Sequence, residues 1–410
     1  MRFAGDSDSA ISAASAVILR GARVAIGPRQ SAELDVEIAG RAIRKLGPAR
    51  GKDALDLSGH ILLPGLINAH DHLEFNLFPR LGRGPYPNAT AWARDVYRPD
   101  EPPVRDHRRI PKAVRLYWGG LKNLVSGVTT VCHHNPYQPA VFNARFPVRV
   151  VRELGWAHSI QYSPDLCARY RRTAGVQPFV IHAAEGTDAS AREEIFTLDR
   201  LGVLGSRTVL VHGVGLDRSG WRLIKKRAAS LIACPASNLF TLGRTLPQSA
   251  FRMGVPIALG SDSAVTASGD LLDELRLARR LWRLSASHLY RMVTDIPASI
   301  LRLGDGQGAL QEGGVADLIA VRTGAATPAE ALLAVRAIEL VVISGRVRLV
   351  SQRLASRLPR EMVSGLQPLL IEGRGRALVD ADVQALYGQA APVLGSSLRL
   401  AGRAVRFVTV

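Results

Sequence analysis

Long hydrophobic runs are missing from this 410-residue chain. None approaches the roughly 18 residues that a membrane-crossing helix needs, so no membrane span is expected. The first residues lack a basic start followed by an apolar segment, which speaks against a secretory signal peptide. Cysteine is scarce: Cys132, Cys167 and Cys234 are scattered along the chain. That number and spacing offer neither a disulfide framework nor a Cys-X-X-Cys metal site, and they fit a reducing compartment, so a cytoplasmic location is expected. Lysine is scarce too. Only six of the 53 basic residues are lysines: Lys45, Lys52, Lys112, Lys122, Lys225 and Lys226. The net charge of +18 therefore comes mainly from arginine spread over the whole length, with no polybasic tail and no interleaved aromatics. This pattern reads as codon bias rather than as a phosphate-binding surface, and no specific nucleic-acid partner is expected. What the chain does have is apolar material. At 47% hydrophobic residues it can fill one large domain and a smaller one.

The most informative segment is Leu63-Pro64-Gly65-Leu66-Ile67-Asn68-Ala69-His70-Asp71-His72. Side chains alternate along a strand, so His70 and His72 share one face and Asp71 takes the other. Two imidazoles side by side at a strand exit can grip a transition-metal ion. Three further apolar runs end in residues of the same chemical type: Val180-Ile181-His182 with Glu185 three positions on, Val209-Leu210-Val211-His212, and Ile257-Ala258-Leu259-Gly260-Ser261-Asp262. Taken singly, a histidine after a strand is more often a hydrogen-bonded core or loop residue. Several apolar runs that each close on a metal-ligand or acid/base residue are what a parallel barrel produces, because its strands are buried on both faces and its chemistry sits at their C-terminal ends.

With these pieces the chain resembles the amidohydrolase superfamily, in particular its mononuclear branch of deaminases and chlorohydrolases. The resemblance is carried by the His-X-His entry after Pro-Gly-Leu-Ile-Asn, by Ser126-Gly127-Val128-Thr129-Thr130-Val131, by His182-Ala183-Ala184-Glu185 and by Val211-His212. It continues through Cys234-Pro235-Ala236-Ser237-Asn238, Leu259-Gly260-Ser261-Asp262, Asp273-Glu274-Leu275-Arg276 and Gly314-Val315-Ala316-Asp317-Leu318-Ile319. It implies an α/β fold, a (β/α)8 TIM-type barrel over residues 61–304. Residues 1–60 and 305–410 are expected to join into a composite β-sandwich domain, with 351–410 as an appendage of uncertain role. Forty-seven residues separate His134 from His182, too few for the strands and helices of a regular barrel at about 25 to 35 residues per unit. The barrel is therefore expected to be shortened between strands 2 and 5. Trp156–Tyr162 reads as the one clear strand there, with helical stretches on either side that include Glu153.

One metal ion is expected. A bridging carbamylated lysine has no candidate, because residues 123–224 contain no lysine. By the resemblance the ligands are His70, His72, His182 and Asp262, with Zn2+ as the expected ion and Fe2+ as the runner-up. Asp262 then takes a proton from the attacking water, His212 stabilises the nucleophile or the oxyanion, and Glu185 carries a proton to the ring or the leaving amine. His134, at the end of the second strand, Asn238, at a position similar to one near the family's site, and Trp92 are the expected substrate contacts. Residues 78–109, rich in proline, glycine and aromatics, sit where a lid belongs. The implied activity is hydrolytic deamination of a small planar N-heterocycle or cyclic amidine. Hydrolysis of a cyclic amide, or loss of another ring leaving group such as chloride, is the near rival. A non-catalytic scaffold is the alternative of another class, and a homo-oligomer is compatible with this reading.

Overall fold

The computed structural model describes residues 17–50, 54–395 and 398–406. Of the N-terminal segment expected to join the β domain, residues 1–16 and 51–53 lie outside the described residues. Eight parallel strands surround the site: Leu66–Asp71, Val128–His133, Arg149–Val150, Gly155–Ala157, Phe179–Ala183, Thr208–His212, Ser230–Ala233 and Ile257–Leu259. The fold is α/β and TIM-barrel-like. The longer strands are buried along their whole length, as expected where helices cover one face and packed side chains fill the other. The ladders form two arcs. Strands one to three pair in one arc and strands four to eight in the other. In the second arc His182 lies opposite Val211, and Ala183 opposite His212, which places the two histidines one level apart.

The run Leu63–His72 is two strands rather than one. His60–Pro64 pairs antiparallel with Leu318–Arg322 in a ten-stranded sheet, and the chain then crosses at Gly65 into the first barrel strand. A Cβ at Gly65 would stand 2.2 Å from the Thr129 side chain, so no larger residue fits the crossing. The same ten-stranded sheet includes Arg23–Ala25 and Ser31–Glu33 from the N-terminal part. From the C-terminal part it takes the hairpin Gln367–Ile371 and Gly375–Val379.

The region between strands two and five departs from the expected elements. The strand expected over Trp156–Tyr162 is only Gly155–Ala157, and the chain turns away at His158. Glu153, expected in a helix, lies at a bend in the short link between strands three and four. Tertiary contacts outweigh local preference here. The Arg149 guanidinium is drawn to Asp317 and Ser344 of the neighbouring sheet, and the Val151 N–H donates to the Val131 carbonyl at 2.9 Å. Gly155 lies so close to Thr173 that a Cβ would clash. The one helix described between strands two and five is Leu166–Arg172.

Residues beyond 350 pack onto the barrel. The helix Val383–Leu394 contacts the helices Val104–Arg108 and Lys112–Val125. Arg374 is almost fully buried against Asp270, and the Ala401 N–H donates to the Asn76 carbonyl at 3.1 Å. No helix among the described residues is long and apolar enough to cross a membrane.

Candidate active site

The C-terminal ends of the barrel strands bring the expected ligands together. His70 and His72 share a face of the first strand, with Asp71 pointing into the floor beneath. His182 ends the fifth strand, and its Nδ1–H donates to the His158 carbonyl at 2.7 Å. That bond leaves the Nε2 lone pair free and aimed inward. The Nε2 atoms of His182 and His70 are 3.2 Å apart, and those of His182 and His72 are 3.4 Å apart. Asp262 Oδ1 stands 3.6 Å from His70 Nε2 and 3.7 Å from His72 Nε2. An ion bound tetrahedrally at about 2.0–2.1 Å needs ligand–ligand edges of roughly 3.3 Å. These four separations approach that requirement. Ligand atoms of His70, His72, His134 and His182 lie within 4.8 Å of one another, as do those of His70, His212 and Asp262, so the donors fit a divalent cation.

The charges fit as well. Burial lowers the pKa of all three rings: His72 falls to about 4, with His70 adding to the effect, and His182 falls well below the ordinary histidine value. All three are neutral ligands near pH 7. Burial works against ionisation of Asp262, but hydrogen bonding and charge from His70, together with His72 and His212, hold its carboxyl well below the usual range. Ser237 Oγ at 2.7 Å and Thr266 Oγ1 at 3.1 Å donate to Oδ2, which leaves Oδ1 facing the histidines. Three neutral nitrogens and one carboxylate suit zinc. Ala184, His212 and Asp262 have φ values of 52°, 76° and 51°. Non-glycine residues rarely adopt this left-handed region, and strain of this kind is tolerated where it aims functional groups.

His212 is buried, and its Nδ1–H donates to Asn238 Oδ1 at 2.8 Å. Its Nε2 faces Glu185 Oε1 at 3.5 Å. Burial pushes the Glu185 carboxyl up to about 7, so this group can hold or release a proton near neutrality. A cavity of about 980 Å³ opens above these groups and is lined by His72, His182, Glu185, His212 and Asp262. Much of its wall comes from the segment expected to form a lid: Phe78, Leu81, Trp92, Val96 and Tyr97 all line it. The helix Ala89–Val96 starts from an N-cap, Asn88, whose side chain accepts from the Ala91 N–H. The Ala89 N–H donates to the Glu185 carbonyl at 2.9 Å, so the lid and the acid/base residue share one backbone link.

The substrate-contact candidates lie in different places. Trp92 lines the cavity, and its Nε1–H is held by the Leu81 carbonyl at 2.9 Å. Asn238 is buried against His212. It does not reach the cavity wall. His134 sits with His70, His72 and His182 in one group of potential ligand atoms within 4.8 Å. Its Nε2–H donates to the Ala157 carbonyl at 2.9 Å, and its Nδ1 is buried without a partner. His133 turns the other way. Its Nδ1 accepts from the Leu73 N–H, and its Nε2 lies 3.5 Å from Glu74.

The family model described as the amidohydrolase family matches residues 174–348, the stretch that carries His182, Glu185, His212 and Asp262. The chain is 27% identical over 351 residues to the 5-methylthioadenosine/S-adenosylhomocysteine deaminase of Pyrococcus furiosus, with 69% of this chain and 81% of that protein covered. Its fold is similar to that of a zinc-bound adenosine deaminase from Xanthomonas campestris, with a TM-score of 0.70 and 19% identity over 92% of this chain and 97% of that one. It is also similar to atrazine chlorohydrolase from Arthrobacter aurescens complexed with zinc, with a TM-score of 0.69 and 20% identity over 92% and 100% of the two chains.

Sequence reasoning missed several residues around this candidate site. His158 supplies the carbonyl that sets the His182 tautomer, and its own ring lines the cavity. A histidine directly after a short strand was the available signal, hidden because the expected strand runs past His158 to Tyr162. Ser237 and Thr266 hold Asp262, and Glu194 lines the cavity while accepting from the Ala184 N–H at 2.7 Å. Ser237 lies in the Cys234–Asn238 motif without having been singled out, and no pattern in the sequence marks Thr266 or Glu194.

Proposed function

We propose that this protein is a metal-dependent aminohydrolase that deaminates a planar N-heterocycle, with an adenine-type nucleoside as the first substrate class to test. The observation that carries the reading is the convergence of three imidazole Nε2 atoms and the Asp262 carboxylate at tetrahedral-edge distances, at the base of a cavity that also holds Glu185 and His212. Relatives bearing deaminase names support the adenine ring. His70, His72, His182 and Asp262 would hold the ion, zinc by preference over iron. A divalent ion bound there makes a water acidic enough to act as nucleophile near neutral pH.

The chain's own residues carry the remaining steps. Asp262, pinned through Oδ2 by Ser237 and Thr266, presents Oδ1 to the attacking water and takes its proton. His212, oriented by Asn238, holds that water against the ring carbon. Glu185 stores a proton at a pKa of about 7, delivers it to the ring nitrogen as the water adds, and recovers one from the new hydroxyl as the proton held by Asp262 passes to the amine, which leaves as ammonia. The apolar walls around Trp92 and Phe78 exclude bulk water and offer flat surfaces to a planar ring. Residues 61–304 are read as the catalytic barrel, shortened between strands 2 and 5. Residues 1–60 and 305–410 are read as one composite β domain. The two-residue third strand, the helix-free link after it and the sheet that mixes strands from both ends support this division, and the strand pairing favours a boundary at Gly65.

The test is an ammonia-release assay of zinc-loaded protein on amino-purine nucleosides, pterins, aminopyrimidines and aminotriazines. Turnover of an amino-substituted ring is expected. Turnover restricted to a cyclic amide or a chloro-substituted ring would overturn the deaminase reading and leave the hydrolase site in place.

A further inference from the structure

The barrel closes between its first and eighth strands without a continuous ladder. Leu66–Asp71 belongs to one arc of strands and Ile257–Leu259 to the other. The Asp262 N–H donates to the His70 carbonyl at 3.0 Å. Gly260 lies so near the first strand that a Cβ would stand 2.6 Å from that of His70. Ile67 and Ala69 of the first strand share an apolar cluster with Ala258 of the eighth, and beside it lies a polar cluster centred on Lys122, a buried lysine with no role in the reading above.

Lys122 sits on the helix Lys112–Val125, one turn after Gly119, where a Cβ would clash with the Leu73 backbone. That close approach lets the ammonium reach under the ligand strand. Its Nζ donates to Asn76 Oδ1 at 2.9 Å and to Ser261 Oγ at 3.0 Å. Asp71 Oδ2 and the Asp262 carbonyl oxygen are each 3.2 Å from it. Asp71 lies between the two ligand histidines in sequence and faces the opposite way. It also accepts from Asn76 at 2.8 Å and from Asn123 at 2.9 Å. Asn68 ties the two strands directly: its Nδ2 donates to Ser261 Oγ at 2.8 Å, and its Oδ1 accepts from the Ser261 N–H at 3.0 Å. One lysine thus bonds to the residue between His70 and His72 and to the backbone of Asp262.

We propose that Lys122 is a positioning residue for the metal centre: by joining Asp71 on the first strand to Ser261 and Asp262 after the eighth, it sets the distance between the two histidine ligands and the carboxylate ligand across the open seam of the barrel. The proposal rests on the metal-centre reading above. A lysine present only to neutralise Asp71 would leave the ligand spacing unchanged when both charges are removed. A lysine that sets the spacing would not.

The test uses full-length protein stripped with a chelator. Zinc is titrated back against a chromophoric competitor, and Co2+ is substituted to record the visible ligand-field bands. Wild type is expected to bind one zinc tightly. K122M and the charge-free double variant D71N/K122M are expected to bind zinc about 10- to 100-fold more weakly, as outer groups that orient ligands typically do, with altered cobalt bands and kcat reduced more than KM. Ser261→Ala removes one Lys122 contact without burying an unpaired charge, so it reads the same link where the lysine variants fail to fold. A smaller weakening in the same direction is expected for it. Wild-type zinc affinity and unchanged cobalt bands in Ser261→Ala, or in the folded double variant, would overturn the positioning role. Absence of zinc binding by wild type would instead overturn the metal reading itself.

Discussion

Below the histidines the protein buries Lys122, Asp71, Asn68, Asn76, Asn123 and Ser261 in a network in which the charged groups are paired and the side-chain polar atoms have partners. Above them the cavity wall is mainly Phe75, Phe78, Leu81, Trp92, Val96 and Val265. The floor is polar, bonded across elements distant in sequence, and leaves little room for change, because a buried group that loses its partner is costly. The roof is apolar and comes largely from one segment following the first strand, closed by a rim that includes the exposed Tyr97. Contacts of the roof kind are graded, so substitutions there shift affinity by degrees. The same molecule therefore holds the proposed metal ligands with directional bonds and shapes the cavity above them with surfaces.

The largest effect should come from breaking the centre between them. His70→Ala or His72→Ala should abolish metal binding and drop turnover to background, checked by elemental analysis and the ammonia assay. Two ions per chain in wild type would defeat the single-ion arrangement. Next in size is Glu185→Gln, which keeps the shape and removes the proton carrier. Turnover should fall by about 10²- to 10⁴-fold with metal content unchanged. Burial holds Glu185 protonated up to a pH of about 7, so the limb of the wild-type kcat/KM profile near that pH should vanish in the variant. Loss of metal from Glu185→Gln would make it a ligand.

A roof substitution should be milder. Trp92→Ala removes aromatic contact worth roughly 0.5–1.5 kcal/mol, so KM or substrate preference should change by about three- to tenfold, with zinc affinity unaffected. An equal loss of zinc affinity would erase the contrast between roof and floor. The smallest effect concerns stability. Glu274 is buried, accepts from the Ala236 N–H at 3.1 Å, and has its carboxyl pushed up by burial to about 8. The folded state therefore binds this proton more tightly than the unfolded state. Its contribution is fully present below the unfolded pKa of 4.5 and is lost as pH rises through about 8. Glu274→Gln should raise Tm at pH 8 by about 1–2 °C, on the order of 1 kcal/mol, and change it little at pH 5. Equal melting shifts at both pH values would show that the proton linkage is absent.

The ligand side chains were legible because a strand displays its faces at a period of two. That alternation alone puts His70 and His72 together and Asp71 apart from them. The lid was legible from its position after the ligand strand and its turn-rich composition. The helix-free stretch around Arg149–Ala157 was legible only as a shortage of residues. Its strands are two and three residues long, too short to show periodicity, and they exist because neighbouring strands supply their pairing. His158 acts on His182 through a backbone carbonyl, which every residue possesses and no pattern reveals.

The sequence by itself determined which chemistry is present and at which strand ends it appears. Apolar runs must be buried, and whatever closes them must emerge at the barrel mouth. Tertiary structure decided which nitrogen of each histidine faces inward, how far Asp262 stands from His70, and which groups Lys122 bonds to. Those outcomes depend on groups brought together from 51 and 139 positions away, as Lys122 is with Asp71 and Ser261. Such bonds form only after the strands have closed into a barrel, so neither local propensity nor spacing along the chain records them.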